Sequence, residues 1–174
     1  MRVVGIVSAV LAAAISAQAW ALAAGETFPQ KLRIAHMTGA ELSPDGMSGK
    51  VTVINFWATW CKACKVELKE MESLLAPLLK DPNFRFAFVS LDKDPAQAQA
   101  WVTENLKLKD FMATLHKDPE FAAANELGVD AFPMTFVIDQ KGKVTKVQRG
   151  FEEGKGLTEG LIAEAKSLLL ASPR

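Results

Sequence analysis

Cysteine and histidine are scarce in this chain, and neither sign of charge is in excess. The 174 residues contain two cysteines and two histidines, and 20 lysines and arginines balance 20 aspartates and glutamates. Balanced, interspersed charge supplies no basic field of the kind that nucleic acid requires, so no nucleic-acid partner is expected. With 49% hydrophobic residues the chain can bury one core without a disulfide framework, and we expect one folded domain and a monomer.

Charge is also absent from the N-terminal segment after Arg2. Residues 3–25 are uncharged and alanine-rich, and Ala21-Leu22-Ala23 is the small-x-small pattern that signal peptidase cleaves. We therefore expect residues 1–23 to be an export signal and residues 24–174 to be the folded domain. An uncleaved anchor in the inner membrane is the alternative, because an uncharged stretch of this length can cross a bilayer. Either way the domain is predicted to be periplasmic, where a disulfide can persist.

The only cysteines, Cys61 and Cys64, lie close together in the stretch INFWATWCKACKVE. Exported proteins that use disulfides for stability usually carry several pairs. A loop this short also restricts the unfolded chain very little, so its value as a cross-link is small. A structural staple is therefore a poor explanation for the pair, and a reactive pair or a metal site has to be considered.

Apolar runs alternate with helical patterns along the rest of the chain. The run VTVINFW is typical of a strand buried on both faces. Helical spacing follows it, and Pro77 should bend or end that first long helix. The order of elements predicts an α/β fold with a central mixed β-sheet and helices on both faces. The predicted strands are 31–37, 51–57, 84–92, 134–139 and 143–150, and the predicted helices are 61–80, 95–106, 118–128 and 157–170.

Cys61 stands at the start of the first long helix, where the chemistry of a thiol changes. The helix dipole and the unpaired backbone N–H groups of the first turn favour thiolate over thiol, and Lys62 adds a positive charge. Such cysteines have pKa values of about 3.5 to 7.5, against about 8.5 for a free thiol. Cys61 is therefore predicted to be the nucleophile and Cys64 the buried resolving thiol.

Helical periodicity places Glu67 on the same face as Cys64. It is the only ionisable residue on that apolar face, since Lys62, Lys65 and Lys69 fall on the opposite side. A buried carboxyl there would have a raised pKa and could exchange a proton with Cys64. The alternative is that Glu67 lies at the edge of the face and reaches out to pair with a lysine.

Phe132-Pro133 is the third feature of interest. A proline at the head of an apolar strand cannot donate to a central ladder, so it indicates an edge position or a cis bond in a fixed turn.

The stretch WATWCKAC, residues 57–64, resembles the thioredoxin superfamily, and most of all the periplasmic TlpA/ResA-type thiol–disulfide oxidoreductases. The similarity extends through Asn55, Glu67 and the stretches GVDAFPMT and FVID, and it covers the chain from about Lys31 to its end. The resemblance implies a thioredoxin-like fold with an N-terminal extension and an insert before a cis-proline, which matches Pro133.

The resemblance also implies roles for the residues of the motifs. Cys61 and Cys64 match the attacking and resolving cysteines, Glu67 matches a buried catalytic glutamate, and Pro133 matches the residue that packs on the dithiol and offers its backbone to a substrate. Trp60, Lys62 and Phe132 would support the active site. Ala63 departs from the pattern, because relatives commonly carry proline there, and the redox potential stays open.

The function that this resemblance implies is the reduction of disulfides in exported client proteins. Haem-binding motifs of apocytochrome c and copper-site cysteines of oxidase assembly are the client types, and a membrane thiol reductase would supply the electrons. A disulfide-donating oxidase or isomerase is the alternative, favoured by Lys62 because a lower pKa of Cys61 makes a stronger oxidant.

A metal site is the alternative of another class. Two thiolates suit Cu(I), so the alternative function is that of a thioredoxin-like copper chaperone. Such a site usually adds a histidine, and only His36 and His116 are available. Zinc would need four ligands. We expect no metal, and no cofactor beyond a redox-active Cys61–Cys64 disulfide.

Overall fold

The computed structural model describes residues 21–107 and 113–171. Strands and helices follow one another through these two ranges, as the sequence pattern predicts. In chain order they are β1 (Ile34–His36), β2 (Glu41–Leu42), α1 (Pro44–Met47), β3 (Val51–Trp57), α2 (Lys62–Leu75), a 3₁₀ turn (Leu78–Lys80), β4 (Phe84–Ser90), α3 (Pro95–Asn105), β5 (Leu115–Lys117), α4 (Ala122–Glu126), β6 (Met134–Ile138), β7 (Val144–Arg149) and α5 (Leu157–Leu170).

The strands form one mixed sheet in the order β2-β1-β5-β4-β3-β6-β7. Strand β3 runs parallel to β4 and antiparallel to β6, and β4 runs parallel to β5. Two hydrophobic clusters cover the sheet, one shared with α2, α3 and α5 and the other shared with α4 and the N-terminal segment. The predicted central mixed sheet with helices on both faces is confirmed.

Alternate residues of β3 belong to different faces of the sheet. Val53 and Trp57 belong to the cluster under α2, whereas Ile54 and Phe56 belong to the opposite cluster. Because side chains alternate along a strand, Asn55 shares the α2 face with Val53 and Trp57. The end of β3 therefore delivers one polar side chain beneath the helix that carries Cys64.

The first long helix is shorter than its predicted span of 61–80. Helix α2 ends at Leu75, and Pro77 is the N-cap of the separate 3₁₀ turn. Proline has no N–H to donate and its ring disfavours a continuous α-helix, so the predicted break at Pro77 is confirmed. Helix α4 is also shorter than predicted, because the carboxylate of Asp118 accepts the N–H of Ala124 (2.8 Å) and holds the preceding residues in a turn.

Three short elements were not predicted individually. Helix α1 has four residues, and β1 is bordered by β2, which has only two. Strand β5 has three residues and lies in the insert before Pro133. Elements of this length carry too few alternating positions to be distinguished from loops by sequence pattern.

The segment from Ala21 onwards packs along the domain. The N–H of Leu22 donates to the carbonyl of Leu127 (3.0 Å). Gly128 has φ +63°, and a Cβ at that position would lie 2.4 Å from the Cα of Ala21, so glycine is required there. Residues 1–20 lie outside the described residues, and the export signal over 1–23 stays a prediction. Within residues 21–107 and 113–171 no helix has the length and apolarity needed to cross a membrane.

Candidate active site

Cys61 and Cys64 are joined by a disulfide at the start of α2. The sulfurs are 2.03 Å apart, and Cys61 is the N-cap of the helix. The backbone N–H of Cys64 donates to Sγ of Cys61 (3.2 Å), so one of the unpaired donors of the first turn points at the first sulfur. Cys61 is 8% exposed and Cys64 is fully buried. Cys61 is therefore the sulfur that an incoming thiol or disulfide can reach.

The loop that leads into Cys61 is held by a buried carboxylate. Asp92, just after β4, accepts the backbone N–H and the hydroxyl of Thr59, the hydroxyl at 2.6 Å. The hydroxyl of Ser90 donates to the other oxygen of Asp92 (2.8 Å). Since β3 and β4 are parallel neighbours, their ends bring Asp92 and Thr59 together. Sequence reasoning did not identify Asp92 or Thr59 as site residues.

Trp60 and Phe132 form an aromatic pair beside Cys61. Their ring centroids are 5.6 Å apart with the planes at 89°, and Trp60 remains 60% exposed. Phe132 also packs against the core cluster that contains both cysteines. The Phe132–Pro133 bond is cis and Pro133 is buried, so of the two predicted possibilities the cis bond is the one present. Lys62 is exposed at the first position of α2.

Glu67 is completely buried in the second turn of α2. This rules out the alternative in which its side chain reaches out to pair with a lysine. Its Oε2 accepts a hydrogen bond from Nδ2 of Asn55 (2.8 Å), and its Oε1 accepts one from Nε2 of Gln148 (2.6 Å). The carboxyl group therefore lies between α2 and the sheet, held by two neutral amides.

Burial raises the pKa of Glu67 from 4.5 to about 7. The hydrogen bonds from Asn55 and Gln148 oppose this rise, because they stabilise the charged form, and the nearby charge of Glu70 adds to it. The predicted raised pKa is confirmed in direction. A carboxyl group that titrates near neutral pH is able to take up or give up a proton under working conditions.

Sequence reasoning assigned no role to Asn55 and Gln148, which donate to Glu67, or to Thr135, which accepts from Asn55. The available signal was strand alternation, which places Asn55 on the same face as Trp57. Gln148 is 81 residues from Glu67 in the chain, and only the register of β6 and β7 brings it to the site. No local pattern in the sequence contains that information.

The two histidines pair with each other at β1 and β5. The rings of His36 and His116 meet edge to face with centroids 5.0 Å apart, and their hydrogen bonds go to Thr38, Ala113 and Thr114. In the part of the chain that the structure describes, no three histidine, cysteine or acidic side chains group in a way that could hold a metal ion. Nothing in this arrangement favours the copper-chaperone alternative.

Comparison with known proteins agrees with the geometry of the site. Residues 23–164 match the family model Redoxin. The chain is 29% identical to the thiol-disulfide oxidoreductase ResA of Geobacillus thermodenitrificans, over 75% of this chain and 71% of ResA. It is 31% identical to the thiol:disulfide interchange protein HelX of Rhodobacter capsulatus, over 73% of this chain and 65% of HelX.

Solved structures show the same fold. A protein from Chlorobium tepidum described as the thiol:disulfide interchange protein DsbE superposes with a TM-score of 0.70 at 26% identity, over 83% of this chain and 99% of that one. DsbF of Mycobacterium tuberculosis superposes with a TM-score of 0.65 at 26% identity, over 80% of this chain and 96% of that one. The predicted thioredoxin-like fold is confirmed.

Proposed function

Because the chain belongs to the redoxin family and is a thiol–disulfide oxidoreductase of the ResA, HelX and DsbE type, we propose that it reduces disulfides in exported client proteins. One observation carries this proposal. Cys61 is the accessible sulfur, while Cys64 and the carboxyl group of Glu67 are buried behind it on the same helix. This arrangement provides an attacking thiol at the surface, Cys61, and a buried resolving thiol, Cys64, with Glu67 as a proton acceptor.

The first step is attack by Cys61 in the reduced protein. The N-terminal N–H groups of α2 and the adjacent Lys62 favour its thiolate. The thiolate attacks one sulfur of the client disulfide, the client S–S bond breaks, and the released client thiolate takes a proton from water. The product is a mixed disulfide between Cys61 and the client.

The second step is resolution by Cys64. Its thiol gives a proton to the Glu67 carboxylate, and the resulting thiolate attacks Sγ of Cys61. The mixed disulfide breaks and the second client sulfur leaves as a thiolate, which is then protonated. Two electrons have passed from the dithiol to the client, and the Cys61–Cys64 disulfide is formed. A pKa of Glu67 near 7 suits it to accept this proton at neutral pH.

The surface around Cys61 would receive an extended client segment. Trp60 and Phe132 offer an apolar contact, and the backbone beside Pro133 precedes β6, where a peptide can pair with main-chain groups. Such a mode selects a client by backbone shape and by a few side chains next to its cysteines.

Location and partners follow from the resemblance to the TlpA/ResA type. The domain would work in the periplasm, exported by residues 1–23 or anchored by them. A membrane thiol reductase would return electrons to the disulfide. Clients with paired cysteines, of the haem-binding or copper-site type, fit a protein that carries no peptide-binding domain of its own in the described residues.

The direction of electron flow is tested by the redox potential of the Cys61–Cys64 couple. The purified domain is equilibrated with glutathione buffers, and its thiols are counted by alkylation and mass spectrometry. A potential near or below about −250 mV supports a reductant, whereas one near about −120 mV identifies a disulfide donor and rejects the proposal.

The client reaction is tested with a Cys64→Ala variant. Without the resolving thiol, the mixed disulfide between Cys61 and an oxidised peptide that carries a C-x-x-C-H sequence should accumulate and be visible by mass spectrometry. Cys61→Ala is the matched control and should trap nothing, because Cys64 is buried. Equal trapping by both variants would contradict the assigned order of the two cysteines. A stable stoichiometric Cu(I) complex of the reduced parent would favour the copper-chaperone alternative instead.

A further inference from the structure

Asn55, Thr135 and Gln148 form a polar row across three neighbouring strands of the sheet. Asn55 on β3 lies opposite Thr135 on β6, and Thr135 lies opposite Gln148 on β7. All three residues are buried. The row interrupts an apolar face, because Val53 and Val137, at alternate positions of the same strands, belong to the hydrophobic core under α2. Polar side chains in such a place cost free energy unless they find partners.

The hydrogen bonds of this row converge on Glu67. Asn55 Nδ2 donates to Oε2 of Glu67 (2.8 Å) and also to the hydroxyl oxygen of Thr135 (2.8 Å), which fixes the orientation of the amide. Gln148 Nε2 donates to Oε1 of Glu67 (2.6 Å) and reaches the carbonyl of Gly150 (3.3 Å). Each oxygen of the carboxylate is therefore held by one donor from the sheet.

The row is not explained by the stability of the sheet. Within the described part of the chain, Oδ1 of Asn55 is buried without a hydrogen-bond partner. An unpaired buried amide oxygen destabilises a fold, and an apolar side chain on β3 would avoid that cost. Local costs of this kind are found at functional sites, where the residue type is required by something other than folding.

We propose that Asn55 and Gln148 are positioning residues for Glu67: their amide groups hold its carboxylate in one orientation, stabilise its charged form and so set the pH range in which it exchanges a proton with Cys64. The inference rests on the role given to Glu67 under the proposed function. Burial raises the pKa of Glu67, and the hydrogen bonds from Asn55 and Gln148 oppose that rise. The amides thus keep a buried carboxyl group available as a proton acceptor near neutral pH.

Among the described residues, Glu70 is the charged group that acts on the pKa of Glu67. Glu70, on the same helix, accepts the hydroxyl of Thr158 on α5 (3.0 Å), and its charge raises the pKa of Glu67. On β7 the ammonium of Lys146 donates to the carbonyl of Gly160, and Arg149 forms an ion pair with an exposed aspartate. Strands β3 and β6 carry no ionisable side chain, and the ionisable residues of α5 are Glu159, Glu164 and Lys166.

The test compares the variants Gln148→Met and Asn55→Ser with the parent, all as oxidised protein. The pKa of Glu67 is measured directly, by following its ¹³C carboxyl resonance in an NMR titration. Loss of either donor should raise this pKa by roughly one unit, because a bond to the charged form is lost while burial remains. An unchanged pKa in the folded variants overturns the proposal. Gln148 lies on the edge strand β7, so its variant decides the matter even if Asn55→Ser does not fold.

Gln140→Met is the matched control for loss of an amide donor. Gln140 Nε2 donates to the backbone carbonyl of Leu168 (2.9 Å) and not to Glu67. This variant should leave the Glu67 titration where it is in the parent. If Gln140→Met raised the pKa of Glu67 as much as Gln148→Met does, the rise would not be specific to the polar row.

Client reduction over a range of pH separates this inference from the proposed function. In Gln148→Met the rise of the rate with pH should move to higher pH by the same amount as the Glu67 titration. In a Glu67→Gln background the same substitution should no longer move the profile. A shifted titration with an unshifted rate profile would support the positioning role and reject Glu67 as the proton acceptor.

Discussion

Thr59 donates both its backbone N–H and its hydroxyl to the carboxylate of Asp92, and Oγ1 of Thr59 lies 2.6 Å from Oδ1 of Asp92. Asp92 is 1% exposed and also accepts the hydroxyl of Ser90. The carboxylate thereby ties the end of β4 to the loop that carries Trp60 and Cys61. A client that approaches the accessible sulfur therefore meets a loop whose conformation is held by the buried Asp92.

Replacing Asp92 by alanine should loosen this loop. Three donors would lose their acceptor inside the protein, so we expect the free energy of unfolding to fall by about 1–3 kcal/mol. The rate of mixed-disulfide formation at Cys61 should fall as well, and Asp92→Asn, which keeps an acceptor, should recover part of it. Urea denaturation and stopped-flow kinetics with an oxidised peptide measure the two effects.

Asp139→Ala is the matched control for the Asp92 prediction. Asp139 accepts the backbone N–H groups of Lys141 and Lys143 at the β6–β7 turn. Its loss should lower stability without changing the rate at Cys61. If both alanine variants slowed the reaction equally, the special role of Asp92 in the loop would be contradicted.

Glu67 should make the stability of the oxidised protein depend on pH. Its carboxyl group is protonated in both the folded and the unfolded protein below pH 4.5, and it is ionised in both above about pH 7. Between these values the folded state holds a proton that the unfolded state has lost, so the free energy of unfolding falls as pH rises, by about 3 kcal/mol in total. In Glu67→Gln this fall should be missing.

The measurement is urea denaturation of the parent and Glu67→Gln at pH 4 and pH 8. The difference in unfolding free energy between variant and parent should grow in favour of the variant as pH rises. A difference that is constant over this range would mean that the carboxyl group titrates at its ordinary pKa. Glu72→Gln, on the same helix but only half-buried, is a suitable control.

His116 should produce the opposite dependence. Burial lowers its pKa from 6.5 to about 4, and the nearby His36 and Arg85 act in the same direction. The unfolded state then binds a proton that the folded state lacks, so stability is complete above pH 6.5 and falls by about 3 kcal/mol as pH decreases through about 4. Thermal unfolding of His116→Gln should show a smaller loss at acid pH than the parent does.

The contributions of His116 and Glu67 overlap between pH 4.5 and 6.5 and have opposite signs. The parent therefore should show a shallow profile in this window, and each single variant a steeper one. If the profile of either variant were as shallow as that of the parent, the pKa shifts assigned to His116 and Glu67 would both be contradicted. The profiles of the two variants should differ in the sign of their slopes.

The sequence pattern alone predicts the residues of the site that lie on one helix. Helical periodicity placed Glu67 beside Cys64, and both are buried on the same face of α2. The position of Cys61 at the helix start is likewise a local property. These features depend on spacing alone, so they did not require knowledge of the sheet.

The partners of Glu67 could not be predicted in that way. Asn55 lies in VTVINFW, a run whose pattern predicts a strand buried on both faces, and its polar role depends on which helix covers the sheet. Gln148 reaches the site only through the registers that join β3 to β6 and β6 to β7. Asp92 likewise depends on the pairing of β3 with β4. Pairing between distant strands is set by the whole fold, and local pattern does not encode it.

Trp60 should contribute to the binding of clients and not to the chemistry of the disulfide. In the described residues Trp60 and Leu170 are the large hydrophobic side chains left exposed, at 60% and 82%. Only Trp60 adjoins a cysteine, and its contact with Phe132 holds the indole beside the accessible sulfur. Exposed aromatic side chains of this kind are typical anchors for a partner chain.

Trp60→Ala should therefore raise KM for an oxidised client peptide by about tenfold, while the rate of reduction by dithiothreitol stays within about twofold of the parent. Dithiothreitol is too small to use the aromatic pair, so it reports on the disulfide alone. Leu170→Ala removes an apolar side chain that is more exposed than Trp60 but lies away from the cysteines, and it should change neither value. If Trp60→Ala slowed dithiothreitol as much as the peptide, the indole would be acting on the reactivity of Cys61, and its assignment as a client contact would be wrong.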